Sequence, residues 1–298
     1  MKQHRSWTKL LTAVGLIGLC GSNCNCWLWQ SPPQPRILSL QPTVEEVIGV
    51  VNANNGQINS FSTGNATLSG PGIPTLRANL AFERPKRLRL RAEMMGSSEL
   101  DVGSNDELFW FWIKRNEPRA LFYCRHDQFG SSKARQMIPV DPDWLADALG
   151  TVCLDPGLPY QGPYPMKNDL LELRVLLDTP EGQQTRRIVV NGQGLVVEQY
   201  LYDTGGYLIA SSKASRHRRD DFSGLWMPGV VQIDSPRAKF AMRLDLGTLQ
   251  INRLEGDPAA LFAMPQYPGW PPVDLGDPNL QFAPTQPAAR VSLRPRER

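Results

Sequence analysis

A chain of 298 residues has room for one large domain or two ordinary ones, and 41% apolar with 20% charged residues is a globular composition, not a disordered one. The formal charge of +3 belongs to the ends: the first 26 residues hold Lys2, Arg5 and Lys9 and no acid, the last nine hold four Arg and one Glu, and the segment between has 25 basic against 28 acidic residues. A slightly acidic body excludes a general nucleic-acid binder.

Residues 1–9 are basic and residues 10–19 (LLTAVGLIGL) are uncharged and largely apolar, the n-region and h-region of an export signal. Ten helical residues cover about half of the ~30 Å hydrocarbon layer, too little to span it. Cys20, Cys24 and Cys26 follow at once, as in a bacterial lipoprotein signal, where one Cys is acylated. None of the three follows the small residue such a signal prefers, so the choice among them, or plain cleavage, stays open. Residues 1–26 are read as an export and anchoring segment, and 27–42, with QSPPQPR at 30–36, as a stiff spacer. The body is then expected in the periplasm, held at the inner or outer membrane through its N-terminus. Cys124 and Cys153 lie in the body; in that compartment a disulfide and two free thiols are both open.

At 43–55, Val44, Val47, Ile48 and Val51 fall on one helix face, Thr43 with Glu46 makes a capping box, and Gly56 supplies a stop. After this predicted helix the period changes to two. Leu76, Ala78, Leu80 and Phe82 alternate with Arg77, Asn79, Ala81 and Glu83, and Leu88 and Leu90 alternate with Arg87, Arg89 and Arg91. Those three arginines share one face, either solvated or able to meet lipid phosphates. Further strands are predicted at 58–69, 99–103, 107–114, 119–125, 169–178, 184–190, 195–203, 207–215, 229–234 and 239–246, separated by turn chemistry such as Asn191-Gly192 and Thr204-Gly205-Gly206. Short loops between so many strands imply antiparallel meanders, hence one wide, curling sheet. A second short helix is predicted from Asp141 as N-cap to Gly150 as stop, with Trp144, Leu145, Ala148 and Leu149 apolar. Residues 155–166 (DPGLPYQGPYPM) read as a loop, and the chain from 265 onward as an irregular Pro-rich tail.

No GxSxG, HExxH, CxxC or phosphate-loop pattern occurs. His126 and His217 each lie beside arginine and read as solvated strand-end residues, and Asp220 and Asp221 adjoin Arg218 and Arg219 as a solvated loop. The expectation is a non-enzyme with no cofactor and no metal. What is present instead is LFWFWI at 108–113, apolar on both strand faces where an antiparallel strand needs only one. Such a strand is either covered on both sides or lines a lipid-sized cavity.

Ile58-Asn59-Ser60-Phe61 opens the first strand, LAFERP (80–85) and KRLRLR (86–91) follow, then LDVGSNDELFWFW (100–112), and near the end ALFAMPQYPGW (260–270). In that order over residues 43–272 the chain resembles the LolA/LolB lipoprotein-carrier superfamily, with Asn105-Asp106-Glu107 standing where that family has an Asp-Gly turn. The resemblance implies a mainly β (α+β) fold, an incomplete antiparallel β-barrel of about 11–12 strands with a short N-terminal helix and a second short helix as lid. It further implies a non-catalytic cell-envelope protein that binds lipoprotein acyl chains or another hydrophobic ligand in the barrel, as carrier or membrane-anchored receptor, with lipoproteins or lipids as partners. Each buried CH₂ is worth about 0.8 kcal/mol, so such a site needs apolar walls and no reactive groups.

Phe82, Leu88, Leu90, Phe109 and Phe111 from the strands, with Val47 and Val51 from the first helix, are its candidate lining. Arg84 matches the family's Arg before Pro and is the candidate lid contact; Met94 and Met95 are the candidate membrane-touching loop. The β domain is thus placed at 43–277 and a basic, disordered tail at 278–298. The alternative is an envelope scaffold without a transported ligand, whose tail recruits partners.

Overall fold

The computed structural model describes residues 35–132, 134–137, 142–179 and 182–280. The export segment with Cys20, Cys24 and Cys26, the first half of the spacer, the N-cap position Asp141 and the tail beyond 280 lie outside the described residues.

Helix α1, Val44–Asn55, begins as its sequence dictates: the Thr43 hydroxyl accepts from the Glu46 N–H at 3.2 Å, and Val47, Ile48 and Val51 are buried. The other half of the expected capping box is absent. The Glu46 carboxylate instead reaches back to Ser39, accepting from its N–H at 2.7 Å and its hydroxyl at 2.9 Å.

Six strands follow as one antiparallel meander: β1 Ser60–Gly70, β2 Ile73–Glu83, β3 Arg87–Met94, β4 Ser97–Ser104, β5 Leu108–Ile113 and β6 Leu121–Arg125. A 3₁₀ turn at His126–Ser131, α2 Ala134–Met137 and α3 Pro142–Ala146 come next; α3 widens into a π turn, Asp147–Thr151, that Gly150 interrupts with φ 101°. A second run comprises β7 Gln161–Met166, β8 Leu170–Thr179, β9 Gly182–Asn191, β10 Val196–Tyr202 and β11 Leu208–Ser215. After a small hairpin of β12 (Arg218–Arg219) and β13 (Trp226–Met227) come β14 Val230–Ser235, β15 Phe240–Asp245 and β16 Gln250–Ile251. The described chain closes with α4 Pro258–Leu261 and β17 Pro272–Asp274.

Except for β12 and β13, these strands join one 15-stranded sheet in the order β17-β6-β5-β4-β3-β2-β1-β15-β14-β11-β10-β9-β8-β7, with β16 paired to β1. The protein is mainly β, and its large curved sheet does not close: β17 and β7 stand at the two ends of the order. The strands outnumber the sequence expectation because proline-bearing segments also pair. Residues 161–166, expected as loop, form the edge strand β7, where Pro163 and Pro165 have no second neighbour to supply with an N–H. Pro272 opens β17, which runs parallel to β6.

Helices α1 and α3 cover one face of the sheet, here the inner face. Phe61, Leu80, Phe82, Leu88 and Leu90 pack there with Trp144, Ala148 and Leu149. Val47, Ile48 and Val51 of α1 lie on Leu171, Leu173, Ile188 and Val190. Phe109, Phe111, Phe122 and Cys124 form a third cluster with Phe129 and Leu275.

The segment from α4 to β17 corrects the expectation of an irregular tail from 265, because it packs on the outer face as a strap. Tyr267 stacks on Trp112 with ring centroids 4.1 Å apart, and Trp270 meets the same indole edge-on at 5.3 Å. Strand β5 is therefore covered twice, which accounts for the apolar run Phe109 to Trp112 being buried on both faces. Beside it, a Cβ on Gly103 would sit 2.2 Å from the Trp110 ring, so that close approach requires glycine.

Candidate functional site

The last carbonyls of a helix have no partner within it. At the end of α1 they receive Arg84, which follows β2. Its Nε donates to the Ile58 carbonyl at 2.8 Å, and its Nη2 donates to Asn55 at 3.0 Å and to Thr151 at 2.5 Å, with the Cys153 Sγ 3.4 Å away. One guanidinium thus ties a strand end to the C-terminus of α1 and to the end of the π turn behind α3. A cation at a helix C-terminus is favoured by the helix dipole as well.

Three asparagines of α1 reinforce this clasp. Asn52 exchanges two hydrogen bonds with the Leu154 backbone at 2.7 and 2.8 Å, and Asn55 donates to the Val152 carbonyl at 2.7 Å. Asn54 holds the Trp226 backbone in the same two-way fashion at 2.9 and 2.8 Å. Sequence reasoning missed these groups. The signal was the NANN run at 52–55, three poor helix formers inside a helical pattern, whose amides can imitate a strand backbone. A second clasp holds the π turn to the sheet: Arg186 donates to the Asp147 carboxylate at 2.8 Å and to Gln199 Oε1 at 2.6 Å, while Gln199 donates to the Asp147 carbonyl at 3.0 Å.

All seven candidate lining residues are buried, but they fall in three groups. Phe82, Leu88 and Leu90 come together beneath α3, with Phe61 5.3 Å from Phe82. Val47 and Val51 face β8 and β9, and Phe109 and Phe111 face Phe122 and Phe129. The two methionines divide. Met94 packs against the inner core, whereas Met95, at φ 49°, is fully exposed at the tip of the β3–β4 turn. Left-handed backbone is costly for a residue with a side chain, and water gives an apolar one nothing in return. By strand register the exposed Ile73, Ile113 and Phe240 lie at this same end of the sheet, opposite Arg84.

Of the two alternatives left open for the body cysteines the structure shows the free thiols, and the expectations for Arg89 and His217 are corrected. Cys124 and Cys153 are free thiols: Cys124 is buried and bonds to the Arg125 carbonyl and the Ser132 hydroxyl, while Cys153 is exposed beside Arg84. Burial pushes the Cys124 thiol up. Arg89 is neither solvated nor available to lipid, being buried against Asp101, and Arg87 is held between Glu83 and Asp106.

His217 is not a solvated residue either. Burial lowers its pKa to about 4, partly offset by a hydrogen bond to the Val196 backbone. Because the folded value lies below the ordinary 6.5, the stability it contributes is full above pH 6.5 and is lost as pH falls toward 4. The protein should lose about 2 kcal/mol between pH 6.5 and about 5 on this account. Urea unfolding of His217→Gln should show a flatter profile over that window; equal slopes for both proteins would contradict the assignment.

Among the described residues no three His, Cys, Asp or Glu side chains are grouped to hold a metal, and no helix is long and apolar enough to cross a membrane. Neither a family model nor a curated protein matches the chain. Among solved structures it is similar to a DUF1329 family protein from Desulfovibrio piger, at 13% identity and a TM-score of 0.46 over 74% of this chain and 99% of that one. A domain from Vibrio parahaemolyticus, described as of the outer membrane lipoprotein-sorting kind, shares 8% identity with a TM-score of 0.47 over 73% and 97% of the two chains. A LolA superfamily protein from Nitrosomonas europaea shares 10% identity with a TM-score of 0.45 over 74% and 98%. The structural neighbours of this chain are thus proteins of the DUF1329, lipoprotein-sorting and LolA superfamily kinds.

Proposed function

We propose that this is a non-catalytic cell-envelope protein that takes an acyl chain, from a lipoprotein or a lipid, between the inner face of its sheet and the helical elements over it. The observation that carries the reading is the Arg84 clasp. A single side chain at the sheet end donates to both α1 and the segment behind α3, so it is the tie shared by both covers of an apolar face, beside the separate bonds of Asn52, Asn54, Asn55 and Arg186. The wall beneath α3, with Phe61, Phe82, Leu88 and Leu90, supplies the contact area, at about 25 cal/mol for each Å² of apolar surface withdrawn from water. Export, acylation at one of Cys20, Cys24 and Cys26, and anchoring at a membrane belong to the same proposal. So does contact of Met95 with a bilayer, which would reward the exposed apolar tip that water does not.

Native mass spectrometry of protein purified from its producing membrane fraction tests the reading. The expected result is bound acyl lipid, or uptake of a fatty acid or a triacylated peptide when none is carried. A protein that neither holds nor takes up any acyl compound would sink the proposal and favour a scaffold, whose partner binding should depend on 278–298. The intact mass of the mature N-terminus reads the cleavage site and any acyl chains together.

A further inference from the structure

On the outer face, away from the acyl site proposed above, the strap leaves a cleft of about 480 Å³ over β1, β2 and β3. Ser62 and Ala81, register partners on β1 and β2, make its floor low. Four polar side chains converge on it. Asn79 and Arg91 are register partners on β2 and β3, Gln250 on β16 pairs with Ser62, and Glu255 comes from the strap side.

The polar ends of these four have no hydrogen bond or ion pair to any described residue, as is also true of Arg77 and Glu93 farther along the same face but outside the cleft. Along the same face Arg87 is neutralised by Glu83 and Asp106, and Arg89 by Asp101. Arg91 has no such acid, although its register partner on β4 is the same Asp101, already taken by Arg89.

The donor set specifies a ligand class. A guanidinium fits a carboxylate through two parallel hydrogen bonds. Carboxamides and a carboxylate present acceptors and donors together, which suits hydroxyls that both give and take a hydrogen bond. One cation next to one unpaired carboxylate favours a ligand with a single negative charge over a doubly charged phosphate. A peptide strand would need a free sheet edge, and β1 to β3 have neighbours on both sides. The volume lies within the range of small-molecule sites.

We propose that this cleft binds an acidic sugar, a ring carrying one carboxylate, with that carboxylate on Arg91 and its hydroxyls on Asn79, Gln250 and Glu255. The sugar is either free or a unit of an acidic glycan, and the two sources present the same chemistry to the cleft. Isothermal titration of the mature protein with glucuronic acid, glucose and a uronic-acid oligosaccharide tests this. At least one uronate should bind about tenfold or more tighter than glucose, the effect expected of a charge-assisted contact. Tight binding of the monosaccharide identifies a free sugar, and binding of the oligosaccharide alone identifies a glycan. Arg91→Gln should bring the uronate down to the level of glucose, and Asn79→Ala should weaken both. Because Arg91 is exposed and has no partner among the described residues, the thermal midpoint of its variant should stay that of the parent. The proposal is overturned if no uronate binds better than glucose, or if Arg91→Gln binds it as the parent does.

Discussion

Asp101→Ala is expected to destabilise the protein by about 3–5 kcal/mol, the usual cost of removing one partner from a buried ion pair. Asp101 is wholly buried, and its carboxylate receives Arg89 through two hydrogen bonds of 2.9 and 2.7 Å and the Tyr267 hydroxyl at 2.7 Å. Arg89 in turn donates to the Leu261 and Ala263 carbonyls at 3.1 and 2.8 Å and lies 5.7 Å from the Trp110 ring centroid. Burial, and then the bond to Asp101, push the Tyr267 hydroxyl well above its ordinary range, so it stays protonated as the donor. Without the carboxylate a guanidinium is left under the strap with no counter-charge. The double replacement Arg89→Met with Asp101→Leu should cost less than Asp101→Ala alone, because it removes both charges. Urea midpoints measure both; a midpoint for Asp101→Ala within error of the parent would refute the account.

Arg84→Leu should act on the opposite end of the sheet and show itself in two ways. Three carbonyls lose a charged donor, and at typical strengths for such bonds the loss is about 3 kcal/mol of stability. If the clasp also holds α1 and α3 over an acyl chain, release of a bound fluorescent fatty acid should speed up about a hundredfold, the same energy expressed as a rate. Arg84→Lys keeps the charge but cannot reach three acceptors with a planar fork, and should fall between. Stopped-flow release and urea unfolding on the same samples separate the effects. Lower stability with unchanged release would leave Arg84 a structural residue and remove it from the gating proposal.

How much of this was legible in the sequence depended on the range of the interaction that fixed each part. Helix α1 and most strands were legible because period and turn residues are local. The buried face of β2 was legible too, since alternation puts Leu80 and Phe82 on one side. The segments that failed, β7, β17 and the strap, carry few alternating residues, and their order comes from groups far away in the chain. Tyr267 is placed by Asp101 and Trp112, 166 residues distant in the first case. The double-faced apolar strand announced that two covers existed without naming them. Arg84 was singled out by resemblance, but its acceptors on Asn55 and Thr151 belong to elements that only the fold brings together. His217 and Arg89 were misread for the same reason: charge neighbours in sequence suggested solvent, whereas their neighbours in space bury Arg89 and half-bury His217.

The two prolines of the edge strand have a consequence for a sheet that is wide and does not close. β7 keeps its register with β8 over Tyr164, Pro165 and Met166 and has no neighbour on its other side, and within it Pro163 and Pro165 have no N–H to offer. A strand arriving from another molecule would meet acceptors without the donors that must alternate with them. The protein thus carries a guard against strand-by-strand polymerisation on its open flank, and Pro163→Thr with Pro165→Thr is the pair of changes that would remove it.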